Sequence, residues 1–400
     1  MIFLALYLFG YALPKLVVAS LQIVHIRRTL RLPPVLLTGN LYRKAGHYAL
    51  AKESLQIVKT LLDSLLVCAL VWWGMAEQSF GLWGDALFVV FVCAAMSLVH
   101  LPLEMYVTLV LDRRYGFFQG TTRLFWSDTA KSLLLNIALG YLACIVVLAL
   151  LPFSLWWLWA CFFFWILLLV ANFVYPVWIA PFFNQFTPLE NNEQAEQIHA
   201  LLARVGFVAS GIFIMDAGKR DSRLNAYFGG LGKVKRVVLF DTLLAKTTTE
   251  QLLAILGHEL GHFKHHDIYK SLLFAMCAIA VVFFAASQIP ESFYAPILPV
   301  APNIVLILFF CAEIVGFWAM PLLGMLSRHN EYAADAFGAE LQGAENLASA
   351  LLVLAKENRS FPHAHPWQIF FYHTHPPLLQ RLLALGMPQS ALVCDESHSR

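Results

Sequence analysis

His258-Glu259-Leu260-Gly261-His262, with the apolar run 268–289 just behind it, is the stretch on which the reading of this chain turns. Residues four apart share one face of a helix, so His258 and His262 can aim two imidazoles at one metal ion. Glu259 lies one step further round, placed to touch a water at that metal without binding the metal itself. Random order would produce about 0.02 such patterns in a chain of this composition. The flanking residues predict the helix. Thr247 with Glu250, or Thr248 with Gln251, fits the capping box at a helix start. Leu252, Leu253, Ile255, Leu256 and Leu260 then supply an apolar side to bury.

Outward from the motif, the chain is 60% hydrophobic and only 13% charged over 400 residues, with a mean hydropathy of +0.67. A soluble domain carries about 25% charged residues, so this composition belongs to a membrane protein. Seven apolar segments are long enough to cross a bilayer, near 2–24, 58–75, 86–111, 131–151, 155–180, 268–289 and 303–327. The first lacks a basic leader and a small-residue cleavage site, and reads as a retained anchor. The loop after the first segment carries Arg27, Arg28, Arg31, Arg43, Lys44 and Lys52, and the loop after the third Arg113, Arg114 and Arg123. The opposite loops, 76–85, 152–154 and 290–302, hold no Lys or Arg. The positive-inside rule then puts the N-terminus outside and the basic loops, the motif and the C-terminus in the cytoplasm. A net charge of +2 and the absence of a basic stripe argue against nucleic acid as a partner. Seven cysteines form no C-x-x-C pair, which leaves them as small core hydrophobes.

The expected organisation is five membrane helices with their loops over 1–180, a cytoplasmic insert over 181–267, two further membrane helices over 268–327 and a cytoplasmic tail over 328–400. The insert reads as a helix near 191–205, a strand at 211–215, a polar turn with Asn225, Gly229, Gly230 and Gly232, a second strand at 234–240, and the motif helix. The second strand is expected to be an open edge. The tail reads as helices at 330–341, near 344–357 and near 377–385.

A catalytic zinc usually takes three protein ligands. Glu331 and Asp335, four apart on one helix face, offer a carboxylate ligand and an acceptor for the far nitrogen of a ligand histidine; the same pair also reads as ordinary solvated acids. His265 and His266 compete as ligands or sit at the membrane interface. Asn225 fits both plain turn chemistry and a hydrogen-bonding contact to an extended peptide. His375 and Arg381 can serve a developing oxyanion, or be a helix-start histidine and a surface arginine. Asp63, His100, Glu104, Asn136 and Glu313 interrupt the apolar segments, as suits a water-filled interior of an enzyme or of a transporter equally.

These pieces resemble the integral-membrane CAAX prenyl proteases, zinc metalloendopeptidases of the gluzincin type. The resemblance rests on the run 175–189, Asn225-Ala226-Tyr227-Phe228, the run 238–244, His258 to Lys264, Ser327 to Asp335, and His375-Pro376-Pro377-Leu378-Leu379-Gln380-Arg381. It extends from about residue 42 onward. It implies an all-α multi-pass membrane protein whose seven helices enclose a chamber, with a gluzincin-like zinc protease core that includes a small β-sheet. It further implies one Zn²⁺ held by His258, His262 and Glu331, Glu259 as base, Asn225 on the substrate, and His375 and Arg381 near the scissile carbonyl. Arg223-Leu224 stand where the eukaryotic enzymes are expected to carry His-Ser, so the chain resembles a bacterial member, placed in an inner membrane. The expected partners are a peptide or protein substrate, lipidated or not, and the bilayer. Two rival readings stand beside this one: a membrane quality-control metalloprotease with no prenyl dependence, and a seven-helix transporter or scaffold with a structural zinc.

Overall fold

The computed structural model describes residues 2–190, 192–229, 235–289 and 301–392. Among them, seven helices are long and apolar enough to cross a membrane: α1 (Phe3–Thr29), α2 (Gly39–Trp73), α3 (Gly81–Asp112), α4 (Thr122–Leu150), α5 (Trp156–Phe183), α8 (Asp267–Ser287) and α9 (Ala301–Gln342). Their outer faces carry what a water-soluble protein would bury, including Phe9, Leu65, Trp73 and Leu134. Polar groups turn inward instead. Asp63, His100, Glu104, Asn136 and Glu313 all line one cavity of about 870 Å³, whose walls come from α1, α2, α3, α4 and α9. Inside it His100 Nε2 lies 2.6 Å from Asp63 Oδ1, pairing α3 with α2.

Between α5 and α8 lies a small domain with helices α6 (Glu193–Arg204) and α7 (Thr249–Lys264) and strands β1 (Phe186–Pro188), β2 (Ile212–Met215), β3 (Ala226–Gly229) and β4 (Arg236–Phe240). The sheet order is β1-β2-β4-β3, with β2 and β4 parallel and the other two pairs antiparallel. This corrects the expectation of an edge at 234–240. β4 is an interior strand, and the edge next to it is β3, built from residues read as a polar turn. Val237, Val238 and Leu239 are each almost fully buried. A continuous apolar run of that kind marks a strand covered on both faces and flanked on both sides. Val234, Gly230 and Gly232 lie outside the described residues.

Six of the seven membrane helices are longer than the expected spans; α8, at Asp267–Ser287, is not. α9 continues unbroken for 42 residues, so the expected helix at 330–341 is its last part and not a separate element of a tail. Nothing after Leu326 breaks a helix until Gly343, which has φ +89°. α10 (Ala344–Glu357), α11 (Pro366–Tyr372) and α12 (Leu378–Ala384) complete the chain; α11 has no counterpart in the sequence reading.

α7 begins with a full capping box. Thr248 Oγ1 accepts from Gln251 N, and Gln251 Oε1 accepts from Thr248 N. Its buried side (Leu252, Leu253, Leu256, Leu260) packs on the sheet and α6, and each fully buried leucine contributes about 1.5–3 kcal/mol. The other side meets α9 along a seam of small residues. A Cβ at Gly261 would sit 2.7 Å from Ala334 Cα, and one at Gly338 would sit 2.9 Å from His258 N. Only hydrogen at these positions lets the two backbones approach so closely. That approach brings the histidines of α7 against the carboxylates of α9.

Candidate metal centre

His258 and His262 face Glu331 across the seam. His258 Nε2 lies 3.2 Å from His262 Nε2 and 3.6 Å from Glu331 Oε2; His262 Nε2 lies 3.2 Å from Glu331 Oε1. Among the described residues this is the one group of three or more His, Cys, Asp or Glu with ligand atoms so close together. A tetrahedral ion bound at about 2.0–2.1 Å separates its donor atoms by about 3.3 Å. The measured triangle has that size, so the residues present fit a metal of this class. Two observations point the same way. Glu331 Oε2 is buried without a hydrogen bond, its nearest cation being Arg381 Nη1 at 3.3 Å. Burial pulls the His262 imidazole down, yet hydrogen bonds to Glu331 and Asp267 overcome it and push its pKa up to about 9, the mark of a site that attracts positive charge.

The far nitrogen of each histidine is held by a carboxylate. His258 Nδ1 lies 2.9 Å from Asp335 Oδ1, the arrangement expected for Asp335. His262 Nδ1 lies 2.9 Å from Asp267 Oδ2, and Lys270 Nζ holds the other oxygen of Asp267 at 2.8 Å. Asp267 escaped the sequence reading. As the first residue of α8 it looks like any acid in a first turn. The turn that brings it back is made at His266, whose φ of +59° breaks the path between α7 and α8. His266 is exposed and His265 packs edge-on to Phe337, so neither joins the triangle. A carboxylate behind a ligand histidine is worth about 10–100-fold in metal affinity. Asp267→Asn and Asp335→Asn are each expected to weaken metal binding by that factor, measured by competition with a chromophoric chelator. Unchanged affinity in both variants would contradict the assignment.

Arg381 is buried beside this assembly. Its Nε and Nη2 grip Asp335 Oδ2 and Oδ1 at 2.8 and 2.6 Å, a two-point contact suited to a carboxylate, and its Nη1 lies 3.3 Å from Glu331 Oε2. His375 Nδ1 lies 2.8 Å from Glu331 Oε1, while the ring itself stays largely exposed. Glu259 lines a second cavity of about 370 Å³, whose wall also includes Asn225, His258, His375 and Arg381. Burial pushes the Glu259 carboxyl above its ordinary range, against the pull of His258 and His262. Asn225 immediately precedes β3; its Oδ1 accepts from Ala226 N, and its backbone carbonyl accepts from Phe240 N. Asn225, His258, Glu259, His375 and Arg381 therefore lie around one cleft beside β3, which is an edge strand among the described residues. Asp221 lines both this cleft and the large cavity, so the two adjoin. The arrangement offers two imidazoles and a carboxylate for a metal, and a separate carboxylate able to move a proton.

The chain is similar to known proteins along most of its length. Residues 188–388 match the model of peptidase family M48, and residues 22–185 match that of the CAAX prenyl protease N-terminal region, with five membrane helices. A CAAX prenyl protease 1 homolog of Oryza sativa subsp. japonica is 34% identical over 300 residues, which cover 72% of this chain and 70% of that protein. CAAX prenyl protease 1 of Saccharomyces cerevisiae is 34% identical over 316 residues, covering 72% and 69%. The crystal structure of S. mikatae Ste24p superposes with a TM-score of 0.87 at 27% identity, over 96% of this chain and 99% of that one.

Proposed function

We propose, from the premise that this chain belongs to peptidase family M48 in its CAAX prenyl protease branch, that it is a zinc endopeptidase acting on prenylated C-terminal peptides at the cytoplasmic face of a membrane. The chain is a multi-pass membrane metalloprotease; the metal's identity, the residue roles, the lipid and the orientation are the proposal. The observation that carries it is the triangle of His258, His262 and Glu331 with Glu259 beside it in the cleft.

Zinc is the ion proposed because two imidazoles and one carboxylate are the donor set of open, catalytic zinc sites, and no thiolate takes part. Bound there, it would make a water acidic and polarise the scissile carbonyl. The chain's own groups do the rest. Glu259 accepts a proton from the attacking water and delivers it to the leaving amine. Its neighbours suit a base with a raised pKa, since the cleft withholds solvent from the carboxylate. His375 donates to the oxyanion that forms as the carbonyl is attacked, and Arg381 adds positive charge from behind Glu331 and Asp335. Asp335 and Asp267 hold the imidazoles in the tautomer whose Nε2 is free to bind. Asn225 hydrogen-bonds an extended substrate that adds to the open edge at β3.

Prenylated substrates are proposed because the relatives carry that activity in their names and because the cleft adjoins a cavity inside the membrane helices. The orientation follows from charge. Arg113 and Arg114 are helical residues just after Asp112, near Gly116, whose carbonyl accepts from Ser222 Oγ on the same end of the molecule as the cleft, and basic segments stay in the cytoplasm. An inner membrane of a bacterium suits the lack of long insertions. The test is cleavage of a farnesylated peptide ending in C-a-a-X against its unmodified twin, with and without a chelator. The farnesylated peptide is expected to be cut faster, and only while zinc is bound. Equal cleavage of both would favour a quality-control protease. Zinc binding without any cleavage would favour a structural metal.

A further inference from the structure

We propose that Arg328 is a positioning residue that holds His375 in the cleft by gripping the end of α11. This rests on the role assigned above to His375. Arg328 lies on α9 one turn before Glu331, and no step of the reaction uses it. Its Nη1 donates to the carbonyls of Ile369, at 3.1 Å, and His373, at 2.5 Å. These carbonyls belong to the last turn of α11 and the residue after it, at the helix's negative end; that of Ile369 also accepts from His373 N. The guanidinium gives the Ile369 carbonyl a second donor, ties it to the His373 carbonyl, and brings positive charge to that end.

The site is built to receive it. A Cβ at Gly324, one turn earlier on α9, would lie 2.7 Å from Arg328 Nη1 and 3.0 Å from His373 O, so the glycine leaves room for this contact. α11 is fastened to the same helix by Phe371, stacked on Phe317 with centroids 4.6 Å apart and planes 6° from parallel. The chain then runs from His373 to His375, whose Nδ1 reaches Glu331. The His375 side chain is 65% exposed, so packing does not locate its ring. Its position comes from the backbone on either side, with Arg328 before it and Pro376-Pro377 after it. A single helix thus carries both the carboxylate that His375 meets and the cation that presents His375 to it.

The experiment is a double-mutant cycle on the full chain in reconstituted membranes, with Arg328→Met, His375→Ala and the two combined. A small misplacement of a group that meets the substrate costs about ten- to a hundredfold. Arg328→Met is expected to lower kcat by that factor with KM and zinc content little changed, and to cost nothing more once His375 is already Ala. Arg328→Lys is expected to recover part of the loss. Gly324→Ala, which keeps the arginine but crowds its Nη1, should act in the same direction; it takes the place of Arg328→Met in the cycle if that variant does not fold. Equal proportional losses with and without His375 would overturn the proposal, as would full activity of Arg328→Met or loss of its zinc. Full activity of His375→Ala would instead remove the role of His375 itself and, with it, any route for Arg328 to act through that residue.

Discussion

Glu259→Gln is expected to lower turnover by about 10²–10⁴-fold while zinc content and melting temperature stay close to those of the parent. Gln keeps the size and one hydrogen-bonding oxygen of Glu but cannot take a proton. Glu259 is absent from the triangle of donor atoms, so the metal should bind as before. The carboxylate lies in a cleft shared with His258, His375 and Arg381, where burial already raises its proton affinity. The assay is hydrolysis of a saturating peptide alongside metal analysis of the same sample. A variant retaining more than about a tenth of the parent rate would remove Glu259 as base.

The second large effect is expected at Glu331. Its carboxylate is 2% exposed and meets His258, His262, His375 and Arg381. On the proposed assignment Glu331→Gln removes a ligand charge, so zinc affinity should fall by more than the about 10–100-fold expected for the carboxylates behind the histidines. It also strips a buried guanidinium of one partner. Breaking a buried ion pair costs about 3–5 kcal/mol, and the low end is expected because Arg381 keeps Asp335. Metal content after dialysis against a buffered chelator and thermal unfolding read the two effects separately. Full zinc occupancy in Glu331→Gln would contradict the ligand assignment.

Much of this site was legible because its parts repeat at helical spacing. Two histidines four apart, a capping box ahead of them, and Glu331 with Asp335 four apart each state a local geometry. The seven spans were legible for the same reason, as length and hydropathy are local properties. What stayed hidden depends on residues distant in sequence. Gly338 has to be small because His258 N lies opposite it, and no pattern around Gly338 says so. Asp267 acquires its role only through the left-handed turn at His266. The edge of the sheet was misassigned because strand order is set by pairing; the unbroken run Val237-Val238-Leu239 was the local sign that β4 lies inside. α9 was cut short because Ser327 to Glu331 look like the exit from a membrane. Arg328 there meets α11, Glu331 meets His258 and His262, and the helix simply continues.

X-ray absorption at the zinc edge of the purified, active protein tests the central claim most directly. The expected spectrum has only nitrogen and oxygen neighbours at about 2.0–2.1 Å, two of them imidazoles, with one place left to a solvent oxygen. Sulfur at about 2.3 Å, a third imidazole, or a protein preparation that is fully active without zinc would contradict it.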